Sequence, residues 1–249
     1  MDDTAPTSTF AVFAPQPFPT VTEGDNLAEM IHTAAGGVWI NGDIVVVASK
    51  VVSIAEKRHV DLAGVTVTEE ARHIAGQTGK PPALVQLILD ESRSHYLATQ
   101  RGPIIATHHR GFQLTSAGVD RAGEGGAWLL PADPDASART IRDDLLALTG
   151  TRVAVVIADS DGRPDRRGAT VLSLGAAGIA PLRVTTHTEP DGRSKRQEET
   201  FTDLIAAAAG IVLGQRGRGA PVVVLRGIAY RDSDEGVASM LHQPADGTR

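Results

Sequence analysis

An aspartate and a hydroxyl close an apolar run in residues 151–168, TRVAVVIADSDGRPDRRG. Val153, Ala154, Val155, Val156, Ile157 and Ala158 have the continuous β-branched character of a strand covered on both faces. Asp159 and Ser160 stand where that strand leaves the core. Asp161, Gly162, Arg163, Pro164, Asp165, Arg166 and Arg167 then read as a tight polar turn. Rigid strand ends that release variable loops are preferred ligand sites in sheets. An acid and a hydroxyl beside an arginine-rich loop suit a divalent cation carried on a polyphosphate. A solvated turn whose aspartate caps its own backbone is the plainer alternative.

Two distant segments could join this one. Asp120 lies in a stretch dense in Ala and Gly, where backbone can approach a ligand closely. Gly214-Gln215-Arg216-Gly217-Arg218-Gly219 is a basic, hydrogen-bonding loop. Two acids with a hydroxyl and an amide could hold one or two hard cations, and Arg163, Arg166 and Arg216 could neutralise phosphate or carboxylate. Ser49 and Lys50, at the end of another apolar run, add an exposed hydroxyl and a candidate phosphate contact. Ordinary turn acids and surface arginines explain the same residues, so the choice stays open on spacing alone.

Much chemistry is excluded. The 249 residues contain no cysteine, so disulfides, thiolate metal sites and cysteine nucleophiles are absent. A formal charge of -6 argues against nonspecific nucleic-acid binding. No apolar run approaches membrane-spanning length and no basic-then-apolar leader opens the chain, so a cytoplasmic protein without membrane contact is expected. There is no P-loop, no dinucleotide fingerprint, no GxSxG and no HExxH.

The positioning elements read as follows. Residues 1–10 form a flexible N-terminus, and a short strand begins at Ala11. A helix starts at Asp25 or Asn26, with Leu27, Met30 and Ile31 on one side. A strand runs from Ile44 to Ser49. Thr68 caps a helix over 68–76, and a longer helix covers 81–97. Residues 104–115 form a strand or hairpin in which the adjacent His108 and His109 face opposite ways, as surface or edge side chains. Asp135 or Ser137 caps a helix through Leu148 that Gly150 closes. Gly175 and Gly178 mark close packing. A helix over 195–209 turns Phe201, Leu204 and Ile205 inward, and a buried strand is centred on residues 222–225.

TEGDNLAEMI, GDIVVVASKVVSIAEKR, RGFQLTSAGVDRAG, LLPADPDASARTIR, ADSDGRP, AAAAGIVLGQ and PVVVLRG together resemble the coenzyme F420-0:gamma-glutamyl ligase family, from about Phe18 to Pro244. The resemblance implies an α+β fold of two subdomains with mixed sheets, one ligase domain over 11–249, and an intertwined homodimer. It implies GTP as co-substrate, Mg²⁺ or Mn²⁺ as metal, and K⁺ as a further candidate ion. L-glutamate would be joined to a deazaflavin phosphodiester acceptor through an acyl phosphate. By motif, Asp120, Asp159, Ser160 and Gln215 resemble metal ligands. Phe18, Pro19, Thr20, Val21 and Ser49 resemble nucleotide contacts, with Lys50, Gly123, Gly214 and Arg216 beside them. Arg163 is the candidate phosphate or carboxylate clamp, and Asp159 its catalytic companion.

The chain departs from the family pattern at several of these places. Ile54 replaces a nucleotide-contacting lysine and Lys57 a glycine. Gly123 replaces an asparagine, and Asp165 to Ala169 lack a tryptophan and a glutamine. Arg218 stands where an acid is common. These changes leave open an amide ligase for another carboxylated metabolite, and a catalytically silent metabolite-binding protein.

Overall fold

Local signals start most of the helices. The computed structural model describes residues 9–214 and 220–242. After strand β1 (Ala11–Phe13), the Asn26 side chain accepts the N–H groups of Ala28 and Glu29 and starts α1 (Leu27–Ala34). Strand β2 (Ile44–Ala48) runs straight into α2 (Ser49–Ala55), and β3 (His59–Asp61) follows. Thr68 caps α3 (Glu69–Thr78), which Gly79 closes in the left-handed region, and Pro82 opens α4 (Pro82–Asp90). Next come β4 (Ser92–Leu97), β5 (Ile104–His108), β6 (Gln113–Thr115), β7 (Asp120–Ala122) and β8 (Gly126–Trp128). Helix α5 (Pro134–Thr149) leads to the long hairpin β9 (Ala154–Gly162) and β10 (Ala169–Ala177). Strands β11 (Leu182–Thr188) and β12 (Ser194–Thr200), helix α6 (Phe201–Leu213) and β13 (Val222–Arg226) complete the set.

The main sheet has the order β1-β13-β2-β9-β10. Only β2 and β9 pair in parallel within it. Its strands bury side chains alternately on two faces. Ile44, Val46, Val156, Val223 and Leu225 pack with Phe201, Ile205 and Ala209 of α6. Val45, Val47, Val155 and Ile157 pack instead with α1 and α5 through Leu27, Ile31, Ile141 and Leu145. A third core joins α3 and α4 to β5, with Ile74, Leu84, Val85, Ile88, Ile104 and Ala106. Small sheets β4-β5-β6 and β3-β8-β7 flank it. This is a mixed α+β fold. No helix among the described residues is long and apolar enough to cross a membrane.

Several expected boundaries move, each because a partner distant in sequence overrides local pattern. Strand β9 continues through Asp159, Ser160, Asp161 and Gly162 instead of turning at Asp159, because β10 pairs with it as far as Ala169↔Gly162. The helix expected over 81–97 ends at Asp90, and Ser92–Leu97 pairs with Ile104–His108. Residues 194–200 form a ribbon with β11 across the Asp191-Gly192 turn, so α6 starts only at Phe201. Leu204 is 47% exposed and does not face inward. Asp133, rather than Asp135 or Ser137, caps α5; Asp135 accepts the N–H groups of Ala176, Val237 and Ala238. His108 is buried, not a surface or edge side chain. Its Nδ1 accepts the Arg110 N–H, and its Nε2 lies 3.3 Å from Glu91, whose pKa this contact lowers.

Candidate functional site

Parallel pairing sets Ala48 beside Ala158, so the residues that follow, Ser49 and Asp159, emerge together at the strand ends. Ser49 begins α2 and is buried, not exposed as its place at a strand end suggested. Its hydroxyl donates to Asp159 Oδ1 at 2.8 Å. Burial pushes the Asp159 carboxyl up to about 7; the Ser49 and Ser160 hydrogen bonds oppose this, and the charges of Asp120 and Asp161 add to it.

Asp120 reaches the same place from a strained loop. Ser116 and Ala117 have φ of 54° and 53°, and Gly118 follows at 72°. Two non-glycine residues in the left-handed region cost of order 1–3 kcal/mol each. They turn the chain sharply between β6 and β7. A Cβ on Gly118 would lie 2.7 Å from Leu130, so the bend is also too tight for a larger residue. Thr115, just before it, donates its N–H and hydroxyl to Asp161 Oδ1 at 2.7 and 2.6 Å. These bonds fasten the loop to the end of β9. Asp120 Oδ2 lies 3.4 Å from Lys50 Nζ.

Asp120, Asp159 and Ser160 line one cavity of about 410 Å³. Its other walls are the β6–β7 connection from Thr115 to Arg121 and the α3–α4 junction at Gly79, Lys80 and Pro81. A larger cavity of about 510 Å³, between α1, α2 and α5, has a mainly apolar lining. Three of its acids already serve the fold: Asp25 accepts the Thr22 N–H, Asp133 caps α5, and Glu56 accepts from Ala132 N–H and the Ser137 hydroxyl. The smaller, more polar cavity is the one with chemistry to offer.

Among the described residues no group of three or more His, Asp or Glu side chains is arranged to hold a metal. Two carboxylates and a hydroxyl nevertheless fit a hard cation that takes its remaining oxygens from phosphates and water. The pKa of Asp159 is raised first by burial and then by the nearby charge of Asp120, so a cation bound between the two carboxylates would favour the ionised form.

The remaining candidates scatter. Phe18 and Val21 pack in the core beneath α1, and Pro19 and Thr20 are exposed; none of the four lines the cavity. Lys50 touches the site through Asp120. Gly123 sits in the β7–β8 turn, its carbonyl accepting from Arg121 Nε at 3.0 Å, outside the cavity lining. Arg163 is exposed at the start of the β9–β10 loop, where Arg166 pairs with Asp165 at 2.7 Å. Gly214 caps the end of α6. Gln215, Arg216 and Arg218 lie outside the described residues. Sequence reasoning passed over Lys80 and Thr115 and gave Asp161 no role. The GKPP junction around Lys80, a helix-closing glycine followed by two prolines, was the available signal for a rigidly held lysine.

The sequence profile of the F420-0:gamma-glutamyl ligase family matches residues 17–227. A coenzyme F420:L-glutamate ligase of Methanothermobacter thermautotrophicus is 38% identical over 233 residues, 90% of this chain and 92% of that protein. The chain belongs to this ligase family. The like-named proteins of Methanocaldococcus jannaschii and Archaeoglobus fulgidus are 39% and 36% identical, over 75% and 87% of this chain and 76% and 87% of their own. The family match spans both walls of the polar cavity that carry Asp120 and Asp159. It also takes in the strained loop and the strand end that deliver them.

Proposed function

We propose that this family member joins L-glutamate by a γ-linked amide to coenzyme F420-0 or its glutamyl tail, using GTP and Mg²⁺ or Mn²⁺. The observation that carries the reading is the convergence of Asp120 and Asp159 on one cavity, with a carboxyl whose pKa is raised to about 7. A carboxylate is a poor electrophile. Transfer of the γ-phosphoryl group to the acceptor's carboxylate oxygen gives GDP and an acyl phosphate. The glutamate amine then forms the C–N bond as the C–O bond to phosphate breaks, and the amine loses a proton. Asp120, Asp159 and Ser160 would hold the cation, which would offset phosphate charge when bound. Ser49 orients Asp159, and Lys50, released from Asp120, becomes available to phosphate. Arg163 is assigned the clamp on a transferring or departing oxygen.

A ligase of this family acting on another carboxylated acceptor is the second reading. The Asp165–Arg166 pair favours it, since it fills a loop where the family pattern has a stacking aromatic. Homodimerisation belongs to the first reading. An isolated two-stranded ribbon such as β11–β12, with β12 exposed along its whole length, is marginal in water without a covering surface. Phosphate release that requires GTP, Mn²⁺, the deazaflavin acceptor and glutamate together tests the function. Release with a different carboxylated acceptor alone would favour the second reading.

A further inference from the structure

Lys80 is a charged side chain of the cavity that the ligase chemistry above leaves without a task and that has no partner within the protein among the described residues. Its backbone is tightly constrained. Gly79 closes α3 in the left-handed region, with its N–H on the Ala75 carbonyl. Pro81 confines the preceding residue to extended conformations, and Pro82 starts α4. The side chain is half-buried on the cavity wall, where desolvation holds its pKa below the ordinary lysine value. It makes no hydrogen bond or ion pair among the described residues. The neighbouring cations are engaged: Lys50 with Asp120, and Arg121 Nε with the Gly123 carbonyl.

A desolvated ammonium without a partner is unfavourable, and an anion at hydrogen-bond distance makes it favourable. Asp120 and Asp159 call for a cation; Lys80 calls for an anionic oxygen in the same cavity. The segments with nucleotide resemblance, Phe18 to Val21 and Ser49, are carried by the main sheet and its α1 face, and none of them lines this cavity. Lys80 comes instead from the α3–α4 layer, where Pro81 and Leu84 add an apolar flank suited to an organic molecule. We infer that Lys80 binds the carboxylate of the acceptor, the group that is to be phosphorylated, and holds it beside the Asp120–Asp159 end of the cavity. This rests on the ligase reading and adds to it a residue for substrate binding.

The test is equilibrium binding of the deazaflavin acceptor, read by its own fluorescence, without nucleotide or metal. Lys80→Met is expected to weaken binding roughly 10- to 100-fold, the range of a charge-assisted hydrogen bond, and Lys80→Arg to restore most of it. Binding of Mn²⁺ with a non-hydrolysable GTP analogue should be the same in all three proteins. The acceptor's methyl ester, which lacks the carboxylate charge, should bind the unaltered protein and Lys80→Met equally. Equal binding of the free acid by both would overturn the inference. So would an equal loss for acid and ester, which would place Lys80 on the acceptor's phosphodiester or in packing instead of on its carboxylate; circular dichroism and Lys80→Gln separate that outcome from misfolding. If the unaltered protein neither binds nor ligates the acceptor, the ligase reading itself fails, and this assignment with it.

Discussion

Replacing Asp159 with asparagine should stabilise the metal-free protein above neutral pH while removing its response to the metal. The Asp159 carboxyl is raised from 3.8 to about 7. The native state therefore binds more protons than the unfolded chain across that window. Stability from this group is fully present below the unfolded pKa and is lost as pH rises through the folded one. Three units at ~1.36 kcal/mol each give an upper bound of roughly 4 kcal/mol. Asp159 is only partly buried, so about 2 kcal/mol is the better figure, or ~4–8 °C for a chain of this size. Asparagine keeps an oxygen for the Ser49 hydroxyl and removes the charge. Melting curves in chelator from pH 5 to 8 should show the unaltered protein losing stability relative to the Asp159→Asn variant, with the gap widest at pH 8. Adding Mn²⁺ and a non-hydrolysable GTP analogue at ~100 times the dissociation constant should then raise only the unaltered protein, by about 2.7 kcal/mol. Parallel curves from pH 5 to 8, or equal stabilisation of both proteins by Mn²⁺, would refute this account of the site.

Lys50→Met should leave the unfolding midpoint within about 1 kcal/mol, because the Lys50–Asp120 pair is half-exposed. Nucleotide affinity in the presence of Mn²⁺ should nonetheless fall roughly tenfold, the share of one charge-assisted contact. Gly175→Ala should cost at least ~2 kcal/mol in urea unfolding, since its Cβ would run into the Pro134 carbonyl where β10 meets the start of α5. Arg226→Met should cost about 3 kcal/mol or more. It removes from Asp43, which is 1% exposed, the two guanidinium hydrogen bonds at 2.7 Å and leaves the carboxylate, among the described residues, only the Ile40 N–H. Adding Asp43→Asn should recover part of that loss, a coupling that a double-mutant cycle measures directly.

What was readable beforehand divides by the distance over which the cause acts. Thr68, Gly150 and the apolar runs of β2 and β13 announce themselves because caps and continuous burial are local. Residues 92–97 and 194–200 mislead because their pairing comes from β5 and β11, and nothing within either segment encodes it. The candidate site shows the same split. Asp159 and Ser160 stood out as polar residues closing an apolar strand. Their link to Asp120 needed the left-handed Ser116–Ala117 turn and the Thr115–Asp161 bonds, which composition does not display. Lys80 stayed hidden because its burial is a property of the assembled cavity.

The central claim is ligation through an acyl phosphate, and oxygen transfer tests it most directly. The deazaflavin acceptor would carry ¹⁸O in its carboxylate and be incubated with GTP, Mn²⁺ and L-glutamate, and product and phosphate analysed by mass spectrometry. The expected result is an acceptor heavier by a glutamyl unit and one ¹⁸O atom in each released phosphate. An unchanged acceptor, or a glutamylated one accompanied by unlabelled phosphate, would contradict it.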